Sequence, residues 1–145
     1  MEKISNCLNE LLCDLNVFFR KLQNYHWNIT GENFFEIHEK LEEYYDCVAK
    51  EIDDVAEQIL TLGYQPLGTL QDYLDNTKIS EATNKKVTSK EIIPVLIKDI
   101  ETFLKKFTEI KEEAEEEKIY ITNTLMDEYL SSYSKKLWML KQLEN

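Results

Sequence analysis

The apolar residues of this chain recur in steps of three and four. From Ile4 they run through Leu8, Leu11, Leu15, Phe18, Leu22, Tyr25 and Ile29, one face of a helix of about seven turns. The stripe stops at "NITGEN", where Gly31 suits a left-handed C-terminal conformation and Asn33 suits the cap of the next helix. A second stripe, Phe34, Leu41, Tyr45, Val48, Ile52, Val55, Ile59 and Leu62, ends at Gly63, with Pro66 and Gly68 beyond it. Thr69 to Leu74 reads as a short helical turn and "NTKISEATNKKVTS" as a polar linker. Ser89, Glu91 and Ile92 open a third helix, continuing through Ile93, Leu96, Ile100, Phe103, Leu104, Phe107 and Ile110, with Pro94 in its first turn. That helix fades into "KEEAEEEK", a solvated end. A fourth carries Leu125, Tyr129, Tyr133, Leu137, Trp138 and Leu140.

Short links join the first helix to the second and the third to the fourth, so each pair is expected to pack antiparallel. About 26 residues separate helices two and three, enough to cross the length of a bundle. The expected fold is all-α: one domain over residues 1–145, a ferritin-like four-helix bundle with one long crossover carrying a short helix. A cytokine-type bundle needs two long crossovers, and only one is visible.

Composition agrees with a helical globule. Apolar residues make up 43% of 145, charged residues 31%, and there are only three glycines and two prolines. No run approaches the ~18 apolar residues of a membrane span, and "MEKISNCLNE" is not a signal peptide. Cys7, Cys13 and Cys47 lack C-x-x-C spacing, so they suggest neither a disulfide framework nor a zinc ribbon; buried thiols and a cytoplasmic location are expected. The net charge of −11, with no basic arm, argues against nucleic acid as a partner and for a solvated acidic surface.

Candidate chemistry lies on the second helix. At about 100° per residue, His38, Glu42, Asp53 and Glu57 form a polar strip along one edge of the apolar stripe, beside Ala49 and Ala56. Imidazole and carboxylates are ligands for iron, manganese or zinc. His38 and Glu42 stand one turn apart, as do Asp53 and Glu57. But His38 and Glu57 are separated by roughly 28 Å of helix, too far for one centre. The two pairs are symmetric about the point midway between Cys47 and Val48. An antiparallel two-fold pairing of two such helices therefore sets His38 against Glu57 and Glu42 against Asp53. At this point two readings stand: ordinary surface polar residues, or half-sites completed by a second chain. A centre inside one bundle is excluded more firmly. It would need Glu-x-x-His motifs, whereas Phe35 precedes His38 by three and Gln23 precedes His26 by three.

The segment "NYHWNITGENFFEIHEKLEEYYDCVAKEIDDVAEQILTLGYQP" resembles the signature of the Dps proteins, the mini-ferritins named as DNA-binding proteins from starved cells. The match is H-W-N-x-x-G-x-x-F-x-x-x-H, an acidic residue four places on, then D-x-x-A-E. The likeness extends to "TLQDYL" in the crossover and "KLWML" near the end. It implies a hollow homo-dodecamer with ferroxidase centres at two-fold interfaces. His26, His38 and Glu42 would come from one subunit and Asp53 and Glu57 from its mate, together holding two iron ions per intersubunit site. It further implies oxidation of Fe(II), preferably by hydrogen peroxide rather than dioxygen, storage of the Fe(III) mineral, and protection against oxidative stress.

Trp27 matches a tryptophan beside that site, with packing in the bundle as its other reading. Glu112, Glu113, Glu115, Glu116 and Glu117 are candidates for pore or surface charge. Two departures from the pattern stand out. Thr124 occupies a position where many relatives have a pore aspartate, leaving Asp127, Glu128 or the upstream glutamates as substitutes. The Lys-rich N-terminal tail with which some members bind DNA is missing, so no direct DNA binding is expected. The competing readings are a purely structural helical oligomer and a DNA-compacting Dps protein without significant ferroxidase activity.

Overall fold

The computed structural model describes residues 1–144. Helix α1 spans Glu2–Asn28, α2 Phe34–Thr61, α3 Leu70–Asn76, α4 Ser89–Glu116 and α5 Tyr120–Lys141. Two-residue strands β1 (Ile29–Thr30) and β2 (Val87–Thr88) pair in parallel, Ile29 opposite Val87. Nothing in the apolar pattern anticipates them. The stripes close on one another as expected: Ile4, Leu8, Leu11, Leu15, Val55, Ile59, Phe103, Phe107 and Ile110 are all sealed from water. Phe18, Phe103, Phe107, Tyr129 and Tyr133 form an aromatic cluster between α1, α4 and α5.

The crossover runs the length of the bundle along α1, roughly 40 Å at ~1.5 Å per residue. Its course is pinned rung by rung. Asn9 holds Gln65 and Leu67 through their backbones, and Asp14 accepts from the Thr77 hydroxyl (2.8 Å) and the Lys78 N–H (2.7 Å). Asn24 Nδ2 donates to the Ala82 carbonyl, and the β1–β2 pair closes the top. The α4 start therefore returns to the end where α2 begins, so α2 and α4 run parallel. This segment is no merely solvated linker, because Ile79 and Val87 are buried.

Helix ends account for most departures from the sequence pattern. Helix α2 stops in a Schellman turn, with Tyr64 N–H donating to the Ile59 carbonyl and Gly63 N–H to that of Leu60, Gly63 taking φ +90°. Helix α4 ends the same way, with Lys118 at φ +60° in the glycine position. It keeps helical form through the acidic run to Glu116, because Ala114 is fully buried, so that run is not a frayed end. Helix α5 starts at Tyr120, five residues before Leu125, and Trp138 is exposed rather than in the core.

Helix α4 opens at Ser89 as expected, capped by Thr88, whose hydroxyl accepts from Glu91 N–H and donates to the Glu91 carboxylate. Pro94 is the sixth helical residue, past the first turn, so α4 lacks the hydrogen bond to the Lys90 carbonyl. Asn33 precedes α2 but makes no side-chain cap bond, because it sits in the left-handed region at φ +61°. Of the three thiols only Cys13 is buried; Cys47 is exposed and Cys7 half-buried, contrary to the expectation of three buried cysteines.

Candidate metal centre

The turn between α1 and α2 brings the two histidines face to face. Their rings stack with centroids 3.7 Å apart and planes within 10°. His26 Nδ1 lies 2.6 Å from the His38 carbonyl oxygen, and His38 Nδ1 lies 2.7 Å from that of His26. A carbonyl only accepts, so both Nδ1 atoms carry a proton, which leaves Nε2 as the ring nitrogen available to ligate. The fold has thus fixed both tautomers by a reciprocal pair of bonds between the last turn of α1 and the second turn of α2. Gly31, at φ +92°, and Asn33 give the chain its tight reversal there.

Phe34 stacks on the outer face of His38, 5.0 Å away and 17° from parallel. Tyr45 stands edge-on to His26 at 5.4 Å. Glu42, one turn beyond His38, places Oε1 3.7 Å from His26 Nε2, too far for a hydrogen bond. Tyr45 donates its hydroxyl to the same oxygen at 3.3 Å. The result is an acceptor-rich corner, with His26 nearly buried and Glu42 largely open to solvent.

The structure brings His26, His38 and Glu42 together and leaves Asp53 and Glu57 apart from them. Those two lie farther along α2, Asp53 exposed and Glu57 at the helix surface. Glu57 borders an open cleft of about 380 Å³ with Asp54, Glu128 and Thr124 between α2 and α5. Among the described residues, no three His, Cys, Asp or Glu side chains of one chain are disposed to hold an ion. Trp27 does not pack in the bundle: it is 60% exposed, with the Arg20 guanidinium 5.9 Å above its ring. Asp127 pairs with Lys111 at 2.8 Å, whereas Glu128 faces the cleft. Of the acidic run, Glu113 pairs with Lys3 and Glu117 with the N-terminal amine.

Residues 5–145 match the ferritin-like domain family. The Helicobacter pylori DNA protection during starvation protein is 37% identical over 139 residues, covering 96% of each chain. The chain belongs to the Dps branch of the ferritin-like family. The crystal structure of a Bacillus brevis Dps protein superposes at a TM-score of 0.95 with 30% identity, over 99% of this chain and 96% of that one. A Vibrio cholerae Dps protein, described as a member of a broad superfamily of ferritin-like diiron-carboxylate proteins, reaches 0.96 with 35% identity, over 99% and 90%. The Dps membership and the ferritin-like fold expected from the sequence are therefore both met.

Three functional-looking features escaped the sequence pattern. Tyr45 reads there only as a core residue, because a phenol three residues after a glutamate carries no distinctive signal. The other two are buried charges, Glu51 and the Lys21–Asp99 pair. Each falls on the apolar stripe of its helix, and a charge on such a stripe was the available clue.

Proposed function

We propose that this Dps protein takes Fe(II) as substrate, oxidises it at sites shared between two subunits, and stores the Fe(III) product inside a dodecameric shell. The observation that carries this reading is the acceptor-rich corner built by the two locked imidazoles and Glu42. It is supported by the chain's membership of the Dps family, one of whose solved relatives is described as diiron-carboxylate. His26 and His38 would bind iron through Nε2 and Glu42 through its carboxylate. Asp53 and Glu57 of a second subunit would complete a two-iron site, since the helix separates them too far to serve the first three within one chain.

Hydrogen peroxide is the preferred oxidant in this reading. Two ferrous ions give up one electron each, and the peroxide O–O bond takes both together, so no hydroxyl radical is released. Carboxylate ligands favour Fe(III) over Fe(II) and so assist the oxidation. In a cytoplasmic setting the consequence is protection against oxidative stress by removing Fe(II) and peroxide at once. The DNA protection named for its relatives would then follow without DNA contact, because a net charge of −11 repels phosphate. Glu128, on the same cleft as Thr124, is the candidate to take over cation guidance where a pore aspartate is missing.

The test is peroxide-driven Fe(II) oxidation with particle mass measured on the same sample. His26→Ala/His38→Ala should fall to the protein-free rate while keeping its mass. Wild-type rate in that variant, or a wild-type particle far below twelve subunits, sinks the reading in favour of a structural oligomer. Tight plasmid retardation at moderate salt, without added divalent metal, would overturn the exclusion of direct DNA binding.

A further inference from the structure

We propose that Tyr45 is a positioning residue that holds Glu42 for metal capture. This inference rests on the reading of His26, His38 and Glu42 as iron ligands. Glu42 is the weak member of that set. Both histidines are pinned by backbone bonds, whereas the Glu42 side chain is half exposed and has three rotatable bonds. Ordering such a chain costs rotamer entropy, which any ion binding it would have to offset.

Tyr45 supplies the restraint. Its ring is wedged edge-on between Phe19 (5.8 Å, 81°) and His26 (5.4 Å, 81°), so the ring is held by α1. Its hydroxyl then donates to Glu42 Oε1 from the next turn of the same helix. At 3.3 Å this bond is long for O–H···O, leaving the carboxylate slack to move onto an ion while staying on the His26 side. One side chain thus touches both kinds of ligand and sets their relative position. The ring alone would serve packing; the hydroxyl has no packing task.

Cobalt(II) titration of the assembled protein, read by its visible absorption band, tests this alongside Fe(II) oxidation kinetics. Tyr45→Phe keeps the ring and removes the tether. It should weaken cobalt binding roughly tenfold, the scale of lost outer-sphere support. It should also alter the band and raise the Fe(II) KM more than it lowers kcat, with particle mass and melting temperature unchanged. In Glu42→Asp the shorter carboxylate no longer reaches the hydroxyl, so adding Tyr45→Phe there should change affinity little, giving a non-additive cycle. A merely structural role would instead lower the melting temperature with the band unmoved.

Wild-type cobalt affinity and an unchanged band in Tyr45→Phe overturn the proposal, as does full additivity in the Glu42→Asp background. If wild type itself shows no saturable cobalt uptake that His26→Ala abolishes, the site reading falls and this proposal falls with it. If uptake is present but insensitive to Tyr45, only the proposal falls.

Discussion

Lys21 Nζ lies 2.7 Å from Asp99 Oδ2, tying α1 to α4 at a place where both side chains are almost sealed from water. Burial pushes the Asp99 carboxyl above its usual range, and the ion pair with Lys21 opposes that rise. Removing one partner leaves the other charge buried without compensation. Lys21→Met is therefore expected to destabilise the fold by about 3–5 kcal/mol in urea, and Lys21→Met/Asp99→Leu to recover most of that loss. A single variant costing under ~1 kcal/mol would mean that water reaches the pair.

A second buried carboxylate gives a pH dependence of defined sign. Tyr133 donates to Glu51 at 2.5 Å between α5 and α2, and burial raises the Glu51 pKa above its ordinary 4.5. The folded chain then holds this proton more tightly than the unfolded chain. The contribution to stability is full below pH 4.5 and is lost as pH rises through the raised value. Glu51→Gln still accepts from Tyr133 and carries no charge, so it should melt higher than wild type at about pH 7–8 and lose that advantage as pH falls towards about 4. Melting curves across that range check it. An equal effect at both ends would exclude Glu51 as the titrating group.

Lys118 occupies the left-handed position of the α4 terminus, where an L side chain costs roughly 1 kcal/mol and glycine costs little. Lys118→Gly should raise the melting temperature by about 2–4 °C for a chain of this size. No gain, in a variant that keeps the turn, would indicate that the lysine makes a compensating contact.

Asp14 anchors the middle of the crossover. Asp14→Ala leaves the Thr77 hydroxyl and the Lys78 N–H without their acceptor, at a cost of roughly 1–3 kcal/mol for the buried group. Amide exchange should accelerate at residues 77–79 ahead of the α1 and α4 core. Uniform acceleration over all helices would show that the crossover and bundle open as one unit.

The helices and their order were legible because each core stripe holds to the helical period over many turns; Leu8, Val55 and Phe107 all fall where period and burial agree. Boundaries were less legible. Helix α5 extends back to Tyr120 through residues with no apolar repeat, and α4 persists through glutamates because one alanine, Ala114, faces inward. The likeness of "NYHWNITGENFFEIHEKLEE" to a known signature pointed to His26, His38 and Glu42 as a group. The reciprocal Nδ1 bonds that orient the rings were invisible, since they depend on two carbonyls placed by the turn. Nor could a sequence show that Trp27 faces solvent, because helix ends leave the outward direction of a flanking residue undetermined.

The smallest secondary structure in the fold carries a temporal consequence. Strands β1 and β2 join residues far apart in the chain, Ile29 with Val87 and Thr30 with Thr88, and β1 follows closely after His26. A growing chain that has emitted only α1 and α2 already holds both histidines. Yet β1, on the turn between them, has no strand partner until Val87 and Thr88 have been made and the crossover has climbed back along α1. Long-range pairings of this kind form late. The turn that carries both histidines is thus completed by the second half of the chain: until Val87 and Thr88 arrive, the reciprocal imidazole bonds stand on a hinge that β2 does not yet brace.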